Sequence, residues 1–93
     1  MSSVLVTVNA FGLWQMILGA KTQQVESKGQ TLRELIKTLN ETVSGELEKQ
    51  VLATNGNLDS KFRIFVNGKA SDTLSTTLAD GDDVLLFSVI DGG

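Results

Sequence analysis

The side chains that most often carry catalysis are missing from this sequence. Its 93 residues contain no cysteine and no histidine. This composition excludes thiolate metal sites, iron–sulfur clusters, a cysteine nucleophile and a Ser-His-Asp triad. An active site would have to use Asp, Glu, Lys and Ser side chains alone. The composition therefore weighs against an autonomous enzyme without excluding one.

Two groups of residues remain that could take part in chemistry. The chain ends in Gly92-Gly93, which can approach another protein closely because glycine has no Cβ; a frayed terminus is the alternative. Asp80, Asp82 and Asp83 carry three carboxylates, but they lack the spacing of an EF-hand. Asp and Gly are also common turn formers, so we expect a solvated turn here and no metal site.

Charge and hydropathy limit the partners. Eight basic and eleven acidic residues give a net charge of −3, and no clustered basic surplus suggests binding to nucleic acid or to an anionic membrane. We expect no targeting leader, because the first residues carry no positively charged stretch, and no apolar run approaches the roughly 20 residues of a membrane helix. We expect a cytoplasmic protein whose residues 1–93 form a single domain with a flexible Gly-Gly tail.

The clearest local pattern predicts one amphipathic helix. Thr31 and Glu34 have the spacing of a capping box. Apolar residues then follow at helical spacing and form one stripe: Leu32, Leu35, Ile36, Leu39 and Val43. The helix is expected to end near Gly45 after about 13 residues. A helix with a single apolar stripe must bury that stripe, here against a sheet.

Strands are predicted on both sides of this helix. The segments with strand patterns are 4–11, 22–26, 62–66 and 84–90. The first and last are apolar on both faces, which indicates central strands. A short helical run is predicted at 13–18, with Trp14 in the core rather than at a partner. Residues 46–54 form a short helix or an ordered loop, and Asn67-Gly68 forms a tight turn. This order predicts a small α+β domain.

Alternation along the last two long strands predicts which side chains face away from the helix. The outward positions are Phe65, Leu85, Phe87 and Val89. Exposed apolar patches often mark partner sites, and aromatic residues often anchor them, so we predict partner binding at these four residues. The alternative is that Phe65 and Phe87 close a second small core under residues 46–61.

These motifs, taken in order, resemble the MoaD/ThiS family of ubiquitin-like sulfur carriers. Residues 78–87 are similar to its L-x-D-G-D-x-V signature and aromatic final strand. Residues 65–68 resemble its V-N-G turn, and residues 11–19 its F-A-x-L-R-E-L-x-G segment. The chain departs from the pattern at Ser88-Val89, where the family has Pro-Pro, and at Trp14-Gln15, where it has a charged pair. The resemblance implies a β-grasp fold, in which a mixed sheet of four to five strands packs on one main helix.

The resemblance also implies a function. In this family an E1-like enzyme uses ATP to adenylate the terminal carboxylate, which then becomes a thiocarboxylate; here that end is Gly93, preceded by Gly92 and Asp91. No permanently bound cofactor is implied. A large molybdopterin synthase subunit, similar to MoaE, is the expected second partner. Two alternatives stay open: a protein modifier joined to target lysines through Gly93, and a non-covalent interaction module.

Overall fold

A computed structural model describes residues 3–42, 45–71 and 73–88. In chain order, its elements are β1 Val4–Ala10, α1 Leu13–Leu18, β2 Thr22–Ser27, α2 Leu32–Thr42, α3 Leu47–Val51, β3 Phe62–Val66, β4 Lys69–Ser71 and β5 Asp83–Ser88. The strands form one mixed sheet in the order β2-β1-β5-β3-β4. β1 runs parallel to β5, and the other neighbouring pairs are antiparallel. The prediction that the first and last strands lie inside the sheet is confirmed.

The core lies between the sheet and α2. The inward side of β1 is at most 5% exposed at each of its alternate positions, which are Val4, Val6, Val8 and Ala10. The apolar stripe of α2 faces it and is at most 1% exposed at Leu32, Leu35, Ile36 and Leu39. Burying each side chain of this size stabilises the fold by roughly 1.5–3 kcal/mol. Packing of this single stripe therefore fixes α2 on one face and leaves the other face of the sheet uncovered by it.

The N-terminus of α2 is capped by its own residues and by a distant loop. The Glu34 amide donates to Thr31 Oγ1 at 3.3 Å, and the Thr31 hydroxyl donates to Glu34 Oε1 at 3.2 Å. The amide of Leu32 donates to the carbonyl of Thr76 at 3.1 Å. This bond satisfies one of the amides that a helix cannot pair internally, and it holds the loop before β5 against the helix.

The turn at Asn67-Gly68 joins β3 to a short strand that the sequence pattern did not predict. Asn67 and Gly68 have φ values of 52° and 85°, as a two-residue type I′ hairpin requires. β4 follows with three residues at the sheet edge. Of the two alternatives for residues 46–54, a short helix or an ordered loop, the structure shows the helix, α3. None of the helices in the described ranges is long and apolar enough to cross a membrane.

Candidate functional site

An apolar patch covers part of the sheet face that points away from α2. It consists of Phe11, Phe65, Leu85 and Phe87, which we call the aromatic patch. Phe65 pairs with Leu85 in register across β3 and β5. The Phe11 amide donates to the Leu86 carbonyl at 2.9 Å, which extends the parallel pairing of β1 with β5 and places Phe11 beside Phe87. The patch therefore borders the end of the strand that leads to the C-terminus.

Exposure differs across the patch. Phe87 is 43% exposed and Phe11 is 36% exposed. Phe65, which the alternation predicts as an exposed aromatic, is half-buried, because Leu85 on β5 and Ala70 on β4 pair with it on either side. The predicted exposure of Phe65 was therefore wrong in degree, although it does lie on the outward face.

The alternative of a second small core under residues 46–61 does not hold. Leu47 and Val51 of that segment are fully buried in the main core. Phe65 and Phe87 are not members of that core cluster. The two aromatics thus lie on the outward face without a helix over them in the described part of the chain, as a docking surface requires.

Phe11 is the residue of the patch that sequence reasoning did not select. Its place follows from the same alternation, because Val4, Val6, Val8 and Ala10 all face inward. The missing information was the pairing of β1 with β5, which brings Phe11 to the exit of the last strand. The two apolar faces of β1 indicate an interior strand, as observed, but they do not by themselves identify a surface shared with β5.

Three cationic side chains lie near the C-terminal end of β5. The Lys21 ammonium lies 5.6 Å from the centroid of the Phe11 ring, within cation–π range. Lys61 lies 5.8 Å from the centroid of the Phe62 ring. Arg63 pairs in register with Phe87. A partner surface with carboxylates around an apolar pocket would complement this end of the sheet.

The acidic turn lies at the other end of β5 and stabilises the fold. Asp80 Oδ1 accepts from the Leu5 amide at 2.8 Å. Asp82 accepts from Asn67 Nδ2 at 2.9 Å and, through its second oxygen, from the Ala79 amide at 2.8 Å. Within the described ranges no cluster of three acidic residues could hold a metal ion. These acids therefore close turns, and the prediction of a turn is confirmed.

The end of β5 is held by the segment around α1. The Trp14 indole Nε1–H donates to the carbonyl of Phe87 at 3.1 Å. The Leu13 amide donates to Ser88 Oγ at 3.1 Å. Both Trp14 and Ser88 are buried. One residue from each of the two departures from the sulfur-carrier pattern, Trp14 and Ser88, thus lies at this one place.

Gly12 allows this close approach. It has a φ of 64° and a ψ of −131°, a region that is essentially restricted to glycine. A Cβ added to Gly12 would lie 2.3 Å from Ser88 Oγ. We call the set of Gly12, Leu13, Trp14, Phe87 and Ser88 the exit clamp.

One ion pair perturbs a titrating group on the α2 side of the molecule. Lys28 Nζ lies 2.7 Å from Glu41 Oε1, and this hydrogen bond and its charge lower the pKa of the exposed Glu41 carboxyl. Neither residue belongs to the aromatic patch or to the exit clamp. The pair is exposed and screened by solvent, so it contributes little to stability.

The remaining predicted site residues cannot be placed. Val89, Asp91, Gly92 and Gly93 lie outside the described residues. The structure follows the chain to Ser88, and the roles assigned to the residues beyond it stay predictions.

Comparison with known proteins identifies the family. The ThiS family model matches residues 8–93. The chain belongs to the ThiS family, one of small ubiquitin-like sulfur carriers and modifiers. A search among curated proteins found no significant match.

Solved structures show the same β-grasp fold. SAMP1 from Haloferax volcanii is 26% identical, and the alignment covers 96% of this chain and 99% of that one with a TM-score of 0.80. A chain of the BexX/CysO complex from Amycolatopsis orientalis is 26% identical, and the alignment covers 95% of this chain and 99% of that one with a TM-score of 0.74. A candidate molybdopterin converting factor subunit 1 from Pyrococcus furiosus is 23% identical, and the alignment covers 95% of this chain and 100% of that one with a TM-score of 0.71. This last likeness supports the fold alone.

Proposed function

We propose that this protein is a sulfur carrier whose terminal carboxylate, on Gly93, is the reactive group. An oxygen of the carboxylate attacks the α-phosphate of ATP, and pyrophosphate leaves. A sulfur nucleophile, in its simplest form hydrosulfide, then adds to the carbonyl carbon and AMP leaves. The product is a thiocarboxylate in which one oxygen has been replaced by sulfur.

The family match, which runs through Gly93 itself, is the observation that carries this proposal. The chain needs no base or nucleophile of its own for the reaction, since an E1-like partner would supply ATP, Mg²⁺ and cationic groups that stabilise the developing charge. Gly92 and Gly93 have no Cβ, so the backbone can enter a narrow nucleotide site. The lack of cysteine and histidine is compatible with such a carrier.

Docking to the activating enzyme is assigned to the aromatic patch. Phe87 and Phe11 offer exposed apolar area next to the strand exit, and Lys21 and Arg63 add positive charge there. Apolar anchors with a charged rim are typical of specific interfaces. The BexX/CysO complex supports the idea that a protein with a related fold forms a complex with a partner.

The proposed acceptor of the sulfur is a molybdopterin synthase, in which this chain would be the small subunit and a MoaE-like chain the large one. The motif resemblance supports this assignment, and the pathway would place the protein in the cytoplasm. Adding the thiocarboxylated chain to a large subunit and molybdopterin precursor should yield molybdopterin. A competent large subunit that forms product with its own small subunit, but none with this chain, would overturn the assignment.

Intact mass spectrometry tests the carrier chemistry. The chain is incubated with an E1-like enzyme, ATP and a sulfur donor, and a matched chain lacking Gly92-Gly93 is treated in parallel. We expect the exchange of one oxygen for one sulfur in the full chain alone. An unmodified full chain in the presence of an enzyme shown to be competent would refute the proposal.

A second candidate function is protein modification, which the likeness to a small archaeal modifier protein supports. A lysine amine of a target would attack the same adenylated carbonyl, AMP would leave, and an isopeptide bond would form with loss of a proton. A tagged chain expressed in its host should give a ladder of conjugates. The modifier hypothesis fails if that ladder persists after Gly92-Gly93 are deleted.

A further inference from the structure

We propose that Trp14 and Ser88 are positioning residues for activation of the C-terminus. Both belong to the exit clamp, which fixes the backbone at Phe87 and Ser88, the last two residues that the structure describes. The inference rests on the proposed function, because the clamp matters only if Gly93 must reach a partner's nucleotide.

The indole of Trp14 is fixed on two sides. Its ring packs edge-on against Phe62, with centroids 5.2 Å apart and an interplanar angle of 68°. Its Nε1–H donates to the Phe87 carbonyl. Phe62 in turn pairs in register with Ser88. A fully buried ring with its polar atom satisfied has little freedom, so it holds the main chain of Phe87 in one orientation.

Ser88 adds a second, independent hold. The Leu13 amide, at the start of α1, lacks an intrahelical acceptor and donates to Ser88 Oγ. Gly12 leaves room for that hydroxyl, where a Cβ would sit 2.3 Å from it. The hydroxyl is buried, at 6% residue exposure, and thus links the last strand residue to α1.

Phe87 connects the clamp to the aromatic patch. Its ring is exposed on the outward face, whereas its carbonyl accepts from Trp14 on the side of the core. The clamp therefore fixes the chain direction relative to the docking surface. This fixed relation between the docking surface and the last described residues is what the clamp would contribute to activation.

The expected size of the effect follows from how steeply rates depend on the placement of reacting groups. A misplacement of about 1 Å can lower a rate by on the order of 100-fold. We therefore expect loss of one clamp hydrogen bond to lower kcat/KM for adenylation by at least roughly fivefold.

Trp14→Phe and Ser88→Ala test the clamp, because each removes one hydrogen bond and keeps most of the packing. Val51→Ala is the matched control, since it shortens a fully buried side chain on α3 whose atoms make none of the clamp's hydrogen bonds. ATP–pyrophosphate exchange on the E1-like enzyme gives kcat and KM at a temperature at which all variants are folded. Affinity for the same enzyme is measured in each background with Gly92-Gly93 deleted, so that docking is seen without activation.

The clamp predicts a lower rate of adenylation in Trp14→Phe and Ser88→Ala, with the affinity of the truncated chains unchanged within about twofold. Val51→Ala should keep the wild-type rate. The proposal is overturned if the clamp variants react normally, if truncated-chain affinity falls as much as the rate, or if Val51→Ala loses as much activity.

A measurement without the enzyme separates this inference from the proposed function. Amide hydrogen exchange at Phe87 and Ser88 should accelerate in Trp14→Phe and stay unchanged in Val51→Ala. If the wild-type chain is never adenylated, the proposed function fails, and the positioning role fails with it. If adenylation occurs but exchange and rate are the same in all variants, only the clamp is refuted.

Discussion

The two ends of β5 differ in where their interacting groups point. At the N-terminal end, the carboxylates of Asp80, Asp82 and Asp83 accept hydrogen bonds from elsewhere in the domain. At the C-terminal end the main chain is held by the exit clamp, but the rings of Phe87 and Phe11 face solvent. Polar groups at the turn end thus close the fold, whereas apolar groups at the exit end remain available.

This difference indicates that the two ends of β5 have different roles, one in stability and one in binding. Exposed aromatic area is unfavourable in water. The rings of Phe11 and Phe87 are nevertheless not part of the core of the described residues. This exposed aromatic area lies at the C-terminal end of β5, with Lys21 and Arg63 nearby. Such an arrangement is typical of a surface that a partner covers. Loss of a carboxylate at the turn end should change stability, and loss of an exposed ring at the exit end should change activation.

Two glycines, one at each end, should differ most in stability. Gly12→Ala forces a Cβ against Ser88 Oγ in a backbone region that disfavours side chains, so we expect a loss of about 3 kcal/mol. Gly81→Ala, at a φ of 87° with nothing within 4 Å of the added Cβ, should lose only about 1–2 kcal/mol. Urea unfolding measures both. Equal losses would show that crowding at the exit clamp is unimportant.

Phe87→Ala should weaken activation more than stability. An aromatic anchor at an interface typically contributes at least about 2 kcal/mol, so we expect roughly a 30-fold rise in KM for the E1-like enzyme. Leu5→Ala is the control, because Leu5 is also exposed, at 48%, on the outward face but lies near the acidic turn. A similar rise in KM for both variants would remove the distinction between the two ends.

Asp82→Ala should have the reverse effect. It removes two hydrogen bonds, to Asn67 Nδ2 and to the Ala79 amide, and we expect a loss of about 1–3 kcal/mol of stability. The KM for activation should stay at the wild-type value when the assay is run below the melting temperature. A raised KM in the folded variant would place the acidic turn in the interface.

Charge reversal at Lys21 should give the smallest effect. Lys21→Glu places a negative charge beside Phe11, and we expect roughly a three- to tenfold rise in KM at low salt, which should diminish as salt screens the charge. Lys69→Glu, at the turn end of the sheet, should leave KM unchanged. If the two variants have the same KM at low salt, the positive charge beside the aromatic patch plays no part in docking.

The strands and the main helix could be predicted because alternation and helical spacing are local. Val4 to Ala10 show which side of β1 is buried before any partner strand is known. The half-burial of Phe65 depends on Ala70 and Leu85, which are set by strand order. β4 was missed because three residues are too few to show a period.

The exit clamp was beyond sequence reasoning for a related reason. The hydrogen bond from Trp14 to the Phe87 carbonyl joins residues 73 positions apart. Burial of Trp14 was predicted and is confirmed, but its acceptor is a main-chain group that any residue carries. Pairing of β1 with β5 must be known before Gly12 and Ser88 can be placed together.

We propose that most of the chain forms a stable scaffold and that Gly93 carries the chemistry. Intact mass spectrometry after reaction with an E1-like enzyme, ATP and a sulfur donor tests it most directly. We expect one oxygen to be replaced by sulfur, at a position that fragmentation assigns to Gly93, and no such change in the chain that lacks Gly92-Gly93. An unchanged mass with a competent enzyme, or sulfur found at another residue, would contradict it.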